Sequence, residues 1–420
     1  MPTQETELPI ARRRFIVTIS MTMALAALAI DMTLPAFAQM RTDFGLAADS
    51  SAIAPVITFS LTGLALGQLA WGPLSDALGR KVILYAGISV YVAGAVGSAL
   101  TPNLSMLYFT SFLAGIGASG ARVVALSAVR DIYEGHRMAK MMSYVMAIFL
   151  LVPLVAPIIG AGVLALGDWR LIYALIAVSG VAVLLLNTGL PETLPADRRM
   201  SLDAHQLGVA VLFVLRNRLT MGYTLAQTAV FGFFASYLAS SELLIGDVFD
   251  KGEWFPLIFS GFAALLGIGV LINNVLLNWL SLRTLLRIAF SGFLIVAVAF
   301  AIMALATDGR PPLTVFIVML APLLVVHALL IPNLNAAALI PMGAVAGTAS
   351  ALIGAISILG GSVLGSFIDR AFDGTITPFA LSAVGAGVVA LGFSWWADRV
   401  WDTETAIDER KTAAGTDELR

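Results

Sequence analysis

Residues 27–35 read ALAIDMTLP, and the architecture follows from where they put Asp31. This acid stands in the middle of an apolar run from Phe15 to Phe37. A carboxylate at the centre of a bilayer costs roughly 2.5–3.5 kcal/mol on insertion scales. Leu would pack better there without that cost, so the acid points to chemistry rather than packing. Pro35 sharpens the reading. Its ring clashes with the carbonyl four residues back, that of Asp31, and it has no N–H to offer that carbonyl. The helix is loosened where it carries its charge. Such a site suits a device that exposes one group to each side of a membrane in turn.

The composition agrees. The chain of 420 residues is 59% hydrophobic and 12% charged, whereas a soluble domain carries about 25% charged residues. Too little polar surface is left to cover a soluble globule, so lipid is the solvent for much of it. With no cysteine, a disulfide framework and a cysteine-based zinc site are excluded. The net charge of −2 comes with no basic patch outside short loops, so nucleic acid is not an expected partner. Arg12, Arg13 and Arg14 before the first apolar run, with Ala36-Phe37-Ala38 after it, resemble a secretory signal. The run is too long for one and contains Asp31 and Pro35, so it is expected to stay as the first span.

A spanning helix needs about 20 mostly apolar residues. On that measure spans are expected near 15–37, 50–72, 82–101, 105–129, 139–165, 169–190, 219–245, 254–279, 283–305, 311–336, 345–371 and 376–398. The seventh runs into Glu242 and Asp247, and Pro322 and Pro332 are expected to break the tenth. With the N-terminus inside, eighteen of the 24 Lys and Arg fall in inner segments. Five (Arg41, Arg170, Lys251, Arg310 and Arg370) fall outside, and Arg122 lies within a span. That bias predicts a multi-pass protein of the cell membrane with both termini cytoplasmic. The expected domains are a six-helix half over 1–190, a cytoplasmic linker over 191–218, a second six-helix half over 219–400, and a disordered cytoplasmic tail over 401–420. The linker opens with Pro191-Glu192-Thr193-Leu194-Pro195, and its apolar part, 207–215, suits the inner membrane surface. The basic loop Gly79-Arg80-Lys81 is weakly echoed in the second half by Ser281-Leu282-Arg283 and Arg287. Two related halves with a site between them are the plan of alternating access.

GPLSDALGRK, Gly72 to Lys81, joins the second and third spans. Its glycines permit a turn too tight for a side chain, and Asp76 can accept hydrogen bonds from helix-end N–H groups and pair with Arg. At Gly72, Leu74, Asp76, Gly79, Arg80 and Lys81 it resembles the signature loop of the major facilitator superfamily. AIDMTLPA (29–36), GIGASGARVVALSAVRDIY (115–133), LVPLVAPIIGAGV (151–163), DWR (168–170), PETLP and PNLNAAALIPMGAVAGTASALIG (332–354) resemble its Bcr/CflA branch. This resemblance implies an all-α fold of about twelve spans in two six-helix pseudo-repeat halves. It also implies a monomer that exports chloramphenicol-type, bicyclomycin-like or sulfonamide drugs against protons. It gives a proton and substrate role to Asp31, a gating role to Asp76 and Arg80, and a hinge role to the fifth span. That hinge has its own support: Pro153 and Pro157 each free a carbonyl, and Gly160 and Gly162 let a neighbour approach closely.

One departure matters. The family pattern expects Arg where Ser111 stands, and the intramembrane Arg is instead Arg122. Eleven residues of helix put the two on one face but about 16 Å apart in depth. Counted from the inner ends, Asp31 lies about 24 Å up and Arg122 about 12 Å, so no direct salt bridge is expected. A buried acid without a partner favours its neutral form, and Asp31 is expected to exchange a proton near neutral pH. Two readings of Arg122 stand: a cavity group for anionic substrate, or an anchor that snorkels inward.

GIGASG (115–120) fits the dinucleotide fingerprint only formally, since it lies in an apolar span with no preceding strand; small residues there let helices touch. Tyr223, Gln227, Phe231 and Phe234 recur at helical spacing, as a drug-stacking wall or as a packing stripe. Asn333 and Asn335 beside Pro332 are weaker candidates of the same kind. The histidines, His136, His205 and His327, are scattered, and a lone His in a span such as His327 is more often packed than catalytic. No Walker A motif, H-E-x-x-H or G-x-S-x-G occurs, so neither ATP-driven pumping nor an intramembrane enzyme is expected, and no cofactor or metal. With one acid and one base in the spans, the cargo is expected to be a small lipophilic compound, neutral or zwitterionic. The alternative is an exporter or uniporter of an endogenous metabolite without proton coupling.

Overall fold

In the computed structural model, which describes residues 12–133, 135–199 and 203–402, the chain is helical, with no strand among those residues. Twelve helical segments there are long and apolar enough to cross a membrane, and each overlaps one expected span. The first is composite: α1 (Arg12–Asp31), a 3-10 turn (Leu34–Ala36) and the short α2 (Phe37–Asp43). Next come α3 (Pro55–Leu78), α4 (Arg80–Ala99), α5 (Leu104–Ile132), α6 (Gly135–Leu164) and α7 (Arg170–Asn187). After the shorter α8 (Ala204–Arg216) follow α9 (Arg218–Leu243), α10 (Phe255–Leu276), α11 (Leu282–Ala306), α12 (Leu313–Leu339), α13 (Ala346–Arg370) and α14 (Thr377–Asp398). The chain divides into two compact units: Met1–Leu202 with Phe255–Ser260, and Asp203–Trp254 with Gly261–Arg420. The first division falls inside the expected linker, and places PETLP in the N-terminal unit and α8 in the C-terminal one. On α8, Leu207, Val209, Leu212, Phe213 and Leu215 are exposed. From residue 403 on, the expected tail lies outside the described residues.

Three local expectations are corrected. The segment Gly72–Lys81 is hardly a loop. Helix α3 runs through Pro73 to Leu78, α4 starts at Arg80, and Gly79 alone makes the bend at φ +101°. Only glycine reaches that conformation at little cost. The tenth span is not broken: α12 passes Pro322 and Pro332 without interruption. In a bilayer each remaining backbone group still needs a helical partner, so one lost hydrogen bond does not release the rest. The break occurs in the first span instead. There Thr33 turns its hydroxyl back onto the Ile30 carbonyl at 2.8 Å, a local bond that competes with the helix, and Pro35 removes the next donor.

The N-terminal unit packs by backbone contact. A Cβ on Gly115 would stand 2.1 Å from the Ser60 carbonyl oxygen, and one on Gly117 2.1 Å from the Tyr91 nitrogen. GIGASG thus presses α5 onto α3 on one side and α4 on the other, the role its small residues suggested. The C-terminal unit centres on α9, with Phe233 stacked on Phe379 at 4.9 Å and edge-on to Phe293 at 5.9 Å.

Candidate functional site

Hydrogen bonds hold the first span on both sides of its break. On α1, the Leu25 carbonyl accepts the Tyr91 hydroxyl at 3.1 Å, and Thr22 accepts the Asn187 amide at 3.0 Å. Beyond the break, the residues of DWR grip α2. Asp43 accepts Trp169 Nε1 at 2.8 Å and Arg170 Nη1 at 2.9 Å, and Gln39 accepts the Trp169 backbone N–H at 2.8 Å. Between these clamps lies Asp31, 4% exposed. Among the described residues its carboxyl makes no hydrogen bond or ion pair, with Arg122 or any other group. Arg122, half-buried on α5, likewise has no ion-pair partner among them.

Helix α6 supports the break directly. A Cβ on Gly160 would stand 2.2 Å from the Met32 carbonyl oxygen, so α6 touches the backbone next to Asp31. Gly162 does not share this role. Nothing lies within 4 Å of a Cβ there, because two residues turn a helix by about 200° and face it away. Pro153 and Pro157 lie within a continuous α6. Gly160→Ala is expected to cost about 1–3 kcal/mol by overpacking, while Gly162→Ala, in open space inside the helix, is expected to gain up to about 1 kcal/mol. Thermal unfolding of the two purified variants measures the difference.

The residues expected to gate form a second centre in the same unit. The Arg80 guanidinium donates to Ser75 Oγ at 2.7 Å, to Asp76 Oδ1, and to Asp131 from Nε at 2.8 Å and Nη2 at 3.3 Å. Asp131 also accepts the Thr193 hydroxyl at 3.1 Å. Glu192 caps α4: its two oxygens accept the backbone N–H groups of Arg80 at 2.9 Å and Lys81 at 3.1 Å, where a helix N-terminus favours an anion. The Lys81 ammonium donates to the Thr188 carbonyl at 3.3 Å. A Cβ on Gly79 would stand 2.7 Å from Glu192 Oε2, so glycine there serves packing as well as the bend. Gly72 is in open space. Sequence reasoning missed Asp131 and Glu192. Both stood in quoted motifs, RDIY and PETLP, but nothing in their spacing ties them to Arg80.

The cavity candidates divide between the units, with Ser111 in the N-terminal one and Tyr223, Gln227, Phe231 and Asn333 in the C-terminal one. Ser111 Oγ on α5 faces Tyr173 Oη on α7, and both are buried without a hydrogen bond among the described residues. In the C-terminal unit, Tyr223 donates to Asp398 at 2.7 Å and meets Trp401 edge-on. Asp398 is held in turn by Arg287 at 2.7 Å and Arg283 at 3.5 Å, so the weakly echoed basic loop carries an ion-pair cluster of its own. Asn333 bonds Asn273 and the Leu329 carbonyl and ties α12 to α10. Gln227 keeps a buried, unpartnered Oε1, Phe231 packs where α13 offers Gly361, and Phe234 stacks on His327 at 4.3 Å. The count of one acid in the spans is corrected: Asp369, 4% exposed, lies inside α13, and Glu242, 5% exposed, lies near the end of α9. Asp369 falls within the eleventh expected span, 345–371, next to Arg370.

Comparison with known proteins places these features. An MFS-type transporter of Bacillus subtilis (YdgK) is 28% identical over 382 residues, 89% of this chain and 93% of that protein. A bicyclomycin resistance protein homologue of Haemophilus influenzae is 29% identical over 380 residues, with the same coverage of each. A chloramphenicol resistance protein of Pseudomonas aeruginosa is 32% identical over 238 residues, 56% of this chain and 55% of that one. In fold, the chain is similar to a D-xylose–proton symporter, with a TM-score of 0.69 at 17% identity over 90% of this chain and 97% of that one. Residues 19–365 match the family described as Major Facilitator Superfamily; the chain belongs to that superfamily and is a multi-pass membrane transporter.

Proposed function

We propose that the protein is a drug/proton antiporter that exports small lipophilic compounds, neutral or zwitterionic, by alternating access. The observation that carries this reading is Asp31: a buried acid with no ion-pair or hydrogen-bond partner among the described residues, at a helix break braced by α6. An intramembrane ionisable group without a structural partner is a functional group by default. The names of the bicyclomycin and chloramphenicol resistance relatives support the cargo class.

In this reading Asp31 and Arg122 couple proton to cargo, and Ser111, Gln227 and Phe231 contact the cargo. Tyr223 and Asn333 support their helices. The Arg80 centre, with Gly72, Asp76, Gly79 and Lys81, locks one state, and α6 bends at Pro153, Pro157 and Gly160. The protein works as a monomer in the cell membrane, with both termini cytoplasmic and two functional halves joined by the linker at 191–218.

The test is susceptibility of a pump-deficient host to a panel of chloramphenicol-type, bicyclomycin-like and sulfonamide compounds, followed by proton release when an active compound is added to purified protein. Raised resistance with proton release is the expected result. Unchanged susceptibility across the panel overturns the drug class, and binding without proton release overturns the coupling.

A further inference from the structure

We propose that Asp369 is a second proton-binding carboxyl, carried by the C-terminal unit and independent of Asp31. Its place is built by a close backbone seam. On α13, Gly361, Gly365 and Asp369 recur every four residues, and on α9 so do Gly232, Ser236 and Ser240, so each set lines one face of its helix. A Cβ on Gly365 would stand 2.9 Å from the Ser236 nitrogen and 3.1 Å from the Gly232 carbonyl oxygen; one on Gly361 would stand 3.1 Å from the Gly232 nitrogen. The seam draws the carboxyl against α9.

The hydrogen bonds there are lopsided. Ser236 Oγ donates to Asp369 Oδ1 at 2.6 Å and Ser240 Oγ donates to the same oxygen at 2.7 Å. Oδ2 accepts no hydrogen bond among the described residues, and it is not among the side-chain atoms fully closed off without a partner. With both donors on Oδ1, Oδ2 is left free to carry a proton, as the hydroxyl of a neutral carboxyl does.

Among the described residues no cation pairs with it. Arg370 is exposed and lies over the Phe367 ring at 6.0 Å. On α9, Glu242 points toward Gly246, 3.6 Å from where a Cβ there would stand, and Tyr237 packs on Phe262. His327 of α12 is stacked on Phe234, Asp398 of α14 is held by Arg287, and His205 and Arg216 of α8 are exposed. None of these pairs with the Asp369 carboxyl. The N-terminal unit has a comparable device: Asp31 lies where its first span meets a glycine of its fifth, as Asp369 lies where α9 meets the glycines of α13. Each unit thus places a buried acid where its first span meets glycine in its fifth.

A purely structural clamp is the competing account, and the amide variant Asp369→Asn separates the two. Its side-chain carbonyl accepts both serine hydroxyls as well as the native carboxyl does, but it binds no proton. The experiment is infrared difference spectroscopy of the purified full chain as pH is stepped from about 5 to about 8, the range in which folded proteins are commonly most stable. The wild type is expected to show a protonated-carboxyl carbonyl band that D369N lacks and D31N keeps. The S236A/S240A double variant, with two donors removed, is expected to move that band to higher frequency. The same band in D369N, or an Asp369 signal that is ionised carboxylate throughout the range, overturns the proposal. Because D31N is a separate arm, failure here leaves the reading of Asp31 standing, and failure there leaves this one.

Discussion

Asp31→Asn is expected to abolish uphill export while leaving the protein folded. One charge crossing 100 mV releases about 2.3 kcal/mol, and at 1.36 kcal/mol per decade this sustains a cargo gradient of roughly fifty-fold per proton. An amide carries no proton, so that gradient collapses to none. The fold has nothing to lose, because the Asp31 carboxyl holds no hydrogen bond or ion pair among the described residues and Asn has nearly its shape. An uncharged amide is also easier to bury than a charge. Accumulation of a panel-active compound in acid-loaded inside-out vesicles measures the effect. Thermal unfolding in detergent confirms that the variant is intact. An amide variant that still concentrates its cargo at the wild-type rate sinks the coupling role.

Arg80→Ala is expected to have the largest effect on stability. The Arg80 side chain is 9% exposed and Asp131 17%, against 44% for Asp76. Removing one partner of a buried pair strands the other and costs about 3–5 kcal/mol; the lower end suits a pair that water still reaches. Asp76→Asn touches an exposed partner, where an ion pair is worth about 0–1 kcal/mol. Arg80→Lys keeps the charge but loses the fork that reaches Ser75, Asp76 and Asp131 together, so it falls between the two. Thermal unfolding of the three variants orders them. Combining Arg80→Ala with Asp131→Asn should cost less than the sum of the single changes, since the two share one interaction. Equal losses from Asp76→Asn and Arg80→Ala would place the lock elsewhere.

The helical character and the number of spans were legible because apolar length is a local property. A run of about 20 residues either matches the hydrocarbon thickness or does not, and each of the twelve expected spans overlaps a helix that does. Asp31 stood out for the same reason: its cost comes from its own neighbours in the chain. Proline was the less reliable guide. Pro322 and Pro332 leave α12 whole, whereas Pro35 acts with Thr33, whose hydroxyl gives the backbone another partner.

What linear order could not show is who meets whom. Asp131 and Glu192 lie 51 and 112 residues from Arg80 and reach it only when α5 and the PETLP segment fold back to the start of α4. Gly160 and Gly162 read alike in sequence, but only one faces the Met32 carbonyl. Nothing in the linear order of the eleventh span showed that α9 would turn two serines onto Asp369. The chain's own order settled what each segment is, helix or turn, in lipid or out of it, because hydrophobicity and backbone freedom act within a few residues. Which carboxylate is paired, which is left bare and which glycine bears a neighbour's backbone were settled by tertiary packing, because hydrogen bonds and steric contact act over a few ångströms of space, however far apart the residues lie in the chain.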